Sequence, residues 1–292
     1  MPLDNFQTRI LKILAPLRSP ESVFAGGSVI QYHGNRLSDD QDIFHDPETD
    51  IATIAQRDCK ILRDYGFSVD LVSPFEGLFE AAIGDEEFGF TKVQWTAAGA
   101  YNFFKPVQDT EFGWRLHMAD LAVNKCLAAG GRKKMRDFVD LSMLHNHAMP
   151  LWHAVWAAPG KDIFWNPSSL IERISRNNQW KQEDLDQDVA LTTELSAVDV
   201  ARTIHDAVEE ARVIFARLPP EMAGRLFVDP HGGIINDVDR ILEMRDVTSV
   251  ETAKGGTWPS NPDIDAAMIR NIIEAYGDDK ISEPSYDPSM RP

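Results

Sequence analysis

Two segments carry the strongest structural signal in this sequence, SVFAGGS at residues 22–28 and RLSDDQDIF at residues 36–44. In the first, a short apolar run that we predict to be a strand ends at Gly26-Gly27-Ser28, and a helical turn follows. A turn of this kind exposes backbone N–H groups at a helix start, which suit a phosphate group. Because most Gly-Gly pairs are only tight turns, the second segment is needed to interpret the first.

The second segment places two carboxylates on one side of a predicted strand. Asp40 and Asp42 are two positions apart, and alternate side chains of a strand point to the same face. Two like charges held together are unfavourable unless a cation lies between them, and carboxylate oxygens suit Mg²⁺ or Mn²⁺. Residue types alone would fit an acidic loop at residues 38–46 equally well. The nearby Gly-Gly turn favours the metal site.

The rest of the chain divides into a mixed part and a helical part. We predict further strands at residues 67–72, 78–83 and 88–96, with helices at about 6–14 and 50–65. From residue 115 the pattern is helical, apart from an extended pair at 226–228 and 234–235. The fold class is therefore predicted to be α+β, a mixed sheet with helices followed by a mainly helical domain. The predicted boundaries are 1–114 and 115–276, with a disordered tail at 277–292.

Composition excludes several classes of protein. The 292 residues include 29 Lys and Arg against 46 Asp and Glu, a net charge of −17, which argues against broad, non-specific nucleic-acid binding. No apolar run approaches the roughly 18 residues of a membrane span, and the first residues do not resemble a secretory signal. Two cysteines, Cys59 and Cys126, build no disulfide framework. We expect a cytoplasmic protein without a membrane partner.

One basic cluster stands out against this acidity: Arg132, Lys133, Lys134 and Arg136. It fits either the solvated start of a helix or an anion site. The histidines, His117, His145, His147 and His153, form no zinc array, and we expect them at the surface or at helix ends. His33 is expected to be structural, and the tryptophans to pack in the core or between domains. No histidine accompanies either cysteine in a nucleophile motif.

Four motifs together resemble a known family. They are Gly26-Gly27-Ser28, then Arg36-x-Ser38-x-Asp40-x-Asp42, then Asp120-Leu121-Ala122-Val123-Asn124-Lys125, and finally Arg136-Asp137-Phe138-Val139-Asp140. In this order and spacing, which cover about a third of the chain, they resemble the polymerase-beta-like nucleotidyltransferase superfamily, and specifically the AbiEii/AbiGii-type toxins.

The resemblance implies a role for each motif. Asp40 and Asp42 would be catalytic and would hold two divalent ions, Mg²⁺ or Mn²⁺, that bridge the triphosphate and the attacking hydroxyl. The remaining positions would bind the nucleotide: Gly26, Gly27 and Ser28 at the terminal phosphates, Lys125 at the triphosphate charge, Arg36 and Ser38 orienting the aspartate loop, and Asp137 and Asp140 anchoring their helix or acting near the base or the nucleophile.

One position departs from the family pattern. The family supplies a third carboxylate from a later strand, two positions after a lysine, and here that position is Gln94 after Lys92. A neutral amide takes no proton at pH 7. Asp70 is an alternative third catalytic carboxylate, although it fits the solvent face of an edge strand equally well.

The expected function is transfer of a nucleoside monophosphate from an NTP to an acceptor hydroxyl. By resemblance, the protein would be the toxin of a toxin–antitoxin pair that acts on RNA, such as the tRNA acceptor end, with a cognate antitoxin as partner. Two alternatives stay open. One is a nucleotide-binding or partner-binding protein that kept the fold and lost the chemistry through Gln94, and the other is an enzyme that modifies a small acceptor.

Overall fold

The structure is a computed structural model that describes residues 3–75, 77–85, 89–97 and 101–276. Helices α1 to α11 are, in chain order, Asn5–Leu14, Gly26–Ile30, Ile51–Asp64, Met118–Gly131, Met135–His147, Leu151–Ala157, Pro167–Asn177, Gln182–Asp188, Ala197–Phe215, Val238–Leu242 and Pro262–Tyr276. Strands β1 to β11 are Ser22–Ala25, Asp40–His45, Ser68–Phe75, Leu78–Asp85, Gly89–Ala97, Tyr101–Asn102, Val107–Asp109, Gly113–Arg115, Leu226–Val228, Thr248–Val250 and Ala253–Lys254.

Seven of the described strands form one mixed sheet in the order β3-β4-β5-β2-β1-β8-β7. The central strand β2 runs antiparallel to β1 and parallel to β5. The fold is therefore α+β, with a mixed sheet in the N-terminal part and helices α4 to α9 after it, as the sequence predicts. Two short two-stranded sheets, β9 with β10 and β6 with β11, lie outside this sheet.

Helix α1 fixes the start of β2. The helix begins with a capping box, in which Asp4 accepts a hydrogen bond from the backbone N–H of Gln7 and the Gln7 side chain accepts one from Asp4. The Gln7 amide then donates to the backbone oxygen of Ser38 at 2.7 Å, and Gln41 donates to the backbone oxygen of Gln7 at 2.7 Å. Because Gln41 points toward α1, its neighbours Asp40 and Asp42 point to the opposite face of the sheet.

On the opposite face α2 contacts β2 and β1, and α4 and α5 pack against α2. Helix α4 shows little amphipathic character because it is enclosed on nearly all sides, with α2, α5, α6 and α7 as its neighbours. The buried core is continuous from Leu3 to Ile272. The domain boundary between residues 114 and 115 stays a prediction. Strand β8, which belongs to the sheet, extends one residue past it to Arg115, and α4 begins at Met118.

Most predicted elements are confirmed, and one pairing is wrong. Leu226–Val228 does form a strand, but its ladder partner is Thr248–Val250, and Ile234 makes only an isolated bridge to Val228. Residues 248–250 are mostly polar, so their periodicity gives no strand signal. The predicted disordered tail at 277–292 lies outside the described residues. Among the described helices, none is long and apolar enough to cross a bilayer.

Candidate active site

The two predicted metal ligands stand beside the glycine turn. Asp42 pairs in register with Ala25 of β1, and Gly26 follows immediately with a φ of +69°. A Cβ built on Gly26 would overlap with Oδ2 of Asp42. Glycine is therefore required twice at residue 26, for its left-handed backbone and for the space that the carboxylate occupies.

The negative charge of Asp40 acts on the buried carboxyl group of Asp42. Burial, and then the negative charge of Asp40, raise the pKa of Asp42 to about 7, although Lys125, Arg136 and Arg132 act in the opposite direction. Without a cation, the pair therefore retains a proton close to neutral pH. A divalent cation between the two groups would take the place of that proton.

A cleft surrounds the pair and is lined on its other sides by cations. Its walls are formed by Gly27, Arg36, Asp40, Asp42, Gln94, Lys125, Arg132 and Arg136. Arg136 bonds to Asp39 at 2.6 Å and lies 3.9 Å from Asp40. The cavity has a volume of about 80 Å³, which is room for a few water-sized groups. A cation and a few phosphate oxygens fit inside, and a nucleoside would have to lie at the open rim.

Asp140 is buried in the core and connects several of the segments that form the cleft. Its carboxylate accepts two hydrogen bonds from Arg36, at 2.7 and 2.8 Å, and one from Gln31 at 2.8 Å. It also forms an ion pair with Lys125 at 2.9 Å. Burial disfavours its charge, but Arg36 and Lys125 outweigh that effect and hold the pKa of Asp140 well below its usual range. The carboxylate thus joins the loop after α2 to α4 and α5.

Asp137 holds two of the cations that line the cleft. It accepts from Lys125 at 3.0 Å and from Arg132 at 2.7 and 3.1 Å. Burial opposes its ionisation, yet Lys125 and Arg132 lower the pKa of Asp137 below its usual range. Neither Asp137 nor Asp140 lines the cleft, whereas their cationic partners do. The geometry therefore fits the anchoring role predicted for these two aspartates.

The two predicted serines hold backbone in place. Ser28 is buried and its hydroxyl donates to the backbone oxygen of Ala25 at 3.2 Å, while the Ser38 hydroxyl donates to the backbone oxygen of Asp40 at 2.8 Å. Gly27, next to Ser28 in the sequence, lines the cleft, and a Cβ there would lie 2.5 Å from Nη2 of Arg36. With its hydroxyl bonded to Ala25, Ser28 is not placed for the predicted contact with phosphate.

Asp70 is not brought to the pair, against the prediction of a third carboxylate on β3. Asp70 of β3 pairs in register with Ala82 of β4, and Ala82 pairs with Lys92 of β5. Lys92 in turn pairs with Asp40 of β2. Three strand spacings separate Asp70 from Asp40, about 14 Å, and Asp70 is exposed. The parallel neighbour of Asp42 is Gln94. Within the described residues, no group of three or more His, Cys, Asp or Glu could hold a metal ion.

The donors present nevertheless fit a divalent cation. Two carboxylates, Asp40 and Asp42, face one small cavity beside the Gln94 amide. Carboxylate, amide and water oxygens are the ligands that Mg²⁺ and Mn²⁺ take in proteins. The residues fit one such ion with water and phosphate oxygens completing its coordination.

Several other residues noted in the sequence are buried in the core. Trp152 and Trp156 are buried in the core, as predicted, and Cys59 and Cys126 are buried and free. His153 was expected at the surface or at a helix end, but it is buried inside α6, where it accepts from the backbone N–H of Phe227 at 3.1 Å. Its neighbours Trp152 and Phe227 stack on the imidazole, a packing that local sequence does not reveal.

Comparison with known proteins finds similarity in structure but not in sequence. No protein-family model matches the chain, and no curated protein matches it. Among solved structures, MenT4, the nucleotidyltransferase toxin Rv2826c from Mycobacterium tuberculosis H37Rv, is similar at 14% sequence identity and a TM-score of 0.36. The similarity covers 70% of this chain and 91% of that one.

Proposed function

We propose that this protein is a metal-dependent nucleotidyltransferase that transfers a nucleoside monophosphate from an NTP to an acceptor hydroxyl. One observation carries the proposal. Asp40 and Asp42 share one face of β2 directly beside the Gly26-Gly27 turn, and cationic side chains complete the same cleft. Paired carboxylates, a glycine turn and cations in one place are what binding a metal-bound triphosphate requires.

In this reaction the acceptor oxygen attacks the α-phosphorus, the bond from the α-phosphorus to the bridging oxygen breaks, and pyrophosphate leaves. The proton of the hydroxyl passes to a carboxylate or to water. A bound Mg²⁺ or Mn²⁺ would neutralise phosphate charge and favour ionisation of the hydroxyl. Asp40 and Asp42 would hold that ion, and Gly27, without a side chain, would let phosphate oxygens approach the backbone.

The cations supply the second half of the site. Arg132 is about half exposed and Arg136 about a quarter exposed, and both line the cleft. They would neutralise the negative charge of the triphosphate and of the leaving pyrophosphate. Lys125 is nearly buried and paired with Asp137 and Asp140, so it would act as a fixed positive charge at the cleft wall.

The acceptor and the biological setting follow from the motif resemblance. We propose an RNA end, such as the tRNA acceptor end, as the acceptor, and a toxin–antitoxin pair in the cytoplasm as the setting. Lys133 and Lys134 are exposed next to the cleft cations, and they would provide local positive charge for a phosphate backbone despite the overall net charge of −17.

The test is transfer of labelled nucleotide to total RNA in the presence of Mg²⁺. Each NTP is offered to the wild type, to Asp40→Ala and Asp42→Ala, and to Asp70→Ala as a matched carboxylate control on the same sheet. We expect label transfer by the wild type and Asp70→Ala, and a loss of more than about a hundredfold in the other two. Transfer that survives both Asp40→Ala and Asp42→Ala would overturn the proposed site.

A second candidate function is nucleotide binding without catalysis. The observation that favours it is Gln94, which stands in register with Asp42 where the family pattern has a carboxylate. For this function, an NTP with Mg²⁺ would raise the melting temperature of the protein, yet neither RNA nor a small acceptor would become labelled. Turnover by the wild type would exclude it.

A further inference from the structure

Gln94 does not stand alone beside Asp42, because a glutamate on the next strand holds its amide. Glu80 of β4 faces Gln94 of β5, and Gln94 faces Asp42 of β2, so the three side chains form one row on one face of the sheet. The Gln94 amide donates from Nε2 to Oε2 of Glu80 at 2.5 Å. The other oxygen of Glu80, Oε1, forms an ion pair with Nζ of Lys92 at 3.2 Å.

This contact determines which end of the amide faces the cleft. An ionised carboxylate can only accept hydrogen bonds, so it pairs with the NH₂ end of the amide and repels the carbonyl end. The Glu80 side chain is 14% exposed and held by Lys92, which fixes it as a partner for Gln94. With Nε2 committed to Glu80, the carbonyl oxygen Oε1 is the end of Gln94 that is left for the cleft it lines with Asp40 and Asp42.

We propose that Glu80 is a positioning residue that turns the Gln94 carbonyl toward the acidic pair, so that Asp40, Asp42 and Gln94 form a three-residue oxygen site for one divalent cation. This inference rests on the proposed function and deepens it, since it assigns the missing third ligand to a neutral amide. Amide oxygens are ordinary ligands for hard divalent cations. Partners that orient a ligand from behind are common at metal sites.

The charge of the site changes as a consequence. Two carboxylates and one amide carry −2, which one divalent cation balances, whereas three carboxylates would carry −3 and favour a second ion. Lys92 balances the charge of Glu80, so Glu80 adds little to the negative potential at the pair. We therefore expect one cation to bind the protein alone, and a second to bind only together with a triphosphate.

The experiment measures Mn²⁺ binding to the full chain without nucleotide, by titration calorimetry and by the electron paramagnetic resonance signal of free Mn²⁺. The wild type is expected to bind one ion. Gln94→Ala and Glu80→Ala, which leaves no acceptor for the Gln94 amide, are each expected to bind it about 10- to 100-fold more weakly. Asp70→Asn, on the same face three strands from Asp40, is the control and should bind like the wild type.

A double-mutant cycle separates positioning from a general structural effect. If Glu80 acts through Gln94, Glu80→Ala should add no further loss in the Gln94→Ala background, whereas independent effects would multiply. A second measurement follows the Gln94 side-chain amide by ¹⁵N NMR during titration with diamagnetic Mg²⁺. We expect its resonance to shift in the wild type and not in Glu80→Ala.

The outcomes distinguish this inference from the proposed function. Loss of Mn²⁺ binding in Asp40→Ala and Asp42→Ala, with wild-type affinity in Gln94→Ala, would overturn the inference and leave the proposed function standing. Unchanged Mn²⁺ affinity in Asp40→Ala and Asp42→Ala would overturn both. Multiplicative losses in the cycle, or an unmoved Gln94 resonance in the wild type, would also contradict a positioning role of Glu80.

Discussion

The Cα of Gly26 lies so close to the carboxylate of Asp42 that no side chain fits between them. This contact joins the turn after β1 to the acidic pair on β2. It predicts that the smallest possible side chain at residue 26 damages the site and not only the stability of the fold.

Gly26→Ala is therefore expected to weaken divalent-cation binding and nucleotide transfer at least tenfold, because the new methyl group must displace the Asp42 carboxylate. Gly66→Ala is the matched control. Gly66 also has a positive φ, +92°, but a Cβ there meets nothing within 4 Å. Both variants should lose about 1 kcal/mol or more of stability from backbone strain, while only Gly26→Ala should lose Mn²⁺ affinity in calorimetry. Equal Mn²⁺ affinity in the two variants would contradict the contact.

Asp140→Ala should be among the most destabilising single substitutions at the cleft. It leaves Arg36 and Lys125 buried without their shared carboxylate, and breaking a buried ion pair from one side costs about 3–5 kcal/mol of unfolding free energy. Asp199→Ala removes an exposed partner of Arg202 and should cost less than about 1 kcal/mol. Urea unfolding monitored by circular dichroism measures both. Similar urea midpoints for the two variants would show that Asp140 does not make this contribution to stability.

Arg132→Gln should change the affinities for cation and nucleotide in opposite directions. The positive charge of Arg132 acts on Asp42 and would repel a divalent cation bound there more strongly than it repels a proton, so removing this charge should strengthen Mn²⁺ binding in the absence of nucleotide. The same change should weaken binding of the triphosphate about tenfold, because one of the cations that faces it is gone. Arg202→Gln, a surface control, should alter neither affinity. Calorimetric titrations with Mn²⁺ and with an NTP check the two signs, and a parallel loss of both affinities would contradict the assignment.

Acid should destabilise the protein through buried neutral histidines. Burial, with a smaller effect of Arg18, lowers the pKa of His45 to about 4 against the opposing charge of Asp58, and burial lowers that of His153 to about 4. Both histidines are neutral in the folded and unfolded states above pH 7. As the pH falls from about 6.5 to about 4, the unfolded chain takes up protons that the folded chain does not, so stability decreases through that window.

His45 allows a direct check, since neither of its ring nitrogens has a hydrogen-bond partner among the described residues. Between pH 7 and pH 5 it should account for roughly 2 kcal/mol of the loss in unfolding free energy. His45→Leu should therefore lose about that much less than the wild type over the same interval, measured by urea unfolding at each pH. An identical loss in both proteins would show that His45 titrates normally in the folded state.

The local parts of the structure could be predicted from the sequence. Alternation and glycine punctuation located β1, β2 and the helical turn between them, and the spacing of Asp40 and Asp42 predicted one shared face. These features depend on neighbours within a few residues. The anchoring role of Asp140 is not local in this sense. The motif resemblance suggested it, and the buried contacts that support it join Asp140 to Arg36, 104 positions away in the chain, and to Lys125 of another helix.

The partner of Gln94 could not be predicted, because it depends on the order of strands in the sheet. Asp70 and Glu80 both lie on strands with the right alternation, and only the order β3-β4-β5-β2 puts Glu80 next to Gln94 and leaves Asp70 at the edge strand. Hairpin spacing predicts that β3 pairs with β4, but no local pattern states that β5 then runs parallel to β2. The contact of Glu80 with Gln94 is a product of that register.

The central claim is that the cleft around Asp42 transfers the α-phosphoryl group of an NTP with its nucleoside. It is tested most directly with two preparations of the same NTP, labelled at the α- or at the γ-phosphate, incubated with acceptor RNA, Mg²⁺ and either the wild type or Asp42→Asn. We predict that the α-label appears on the acceptor with the wild type, that the γ-label is released as pyrophosphate, and that Asp42→Asn transfers neither. Transfer of the γ-label, or α-label transfer that persists in Asp42→Asn, would contradict the account.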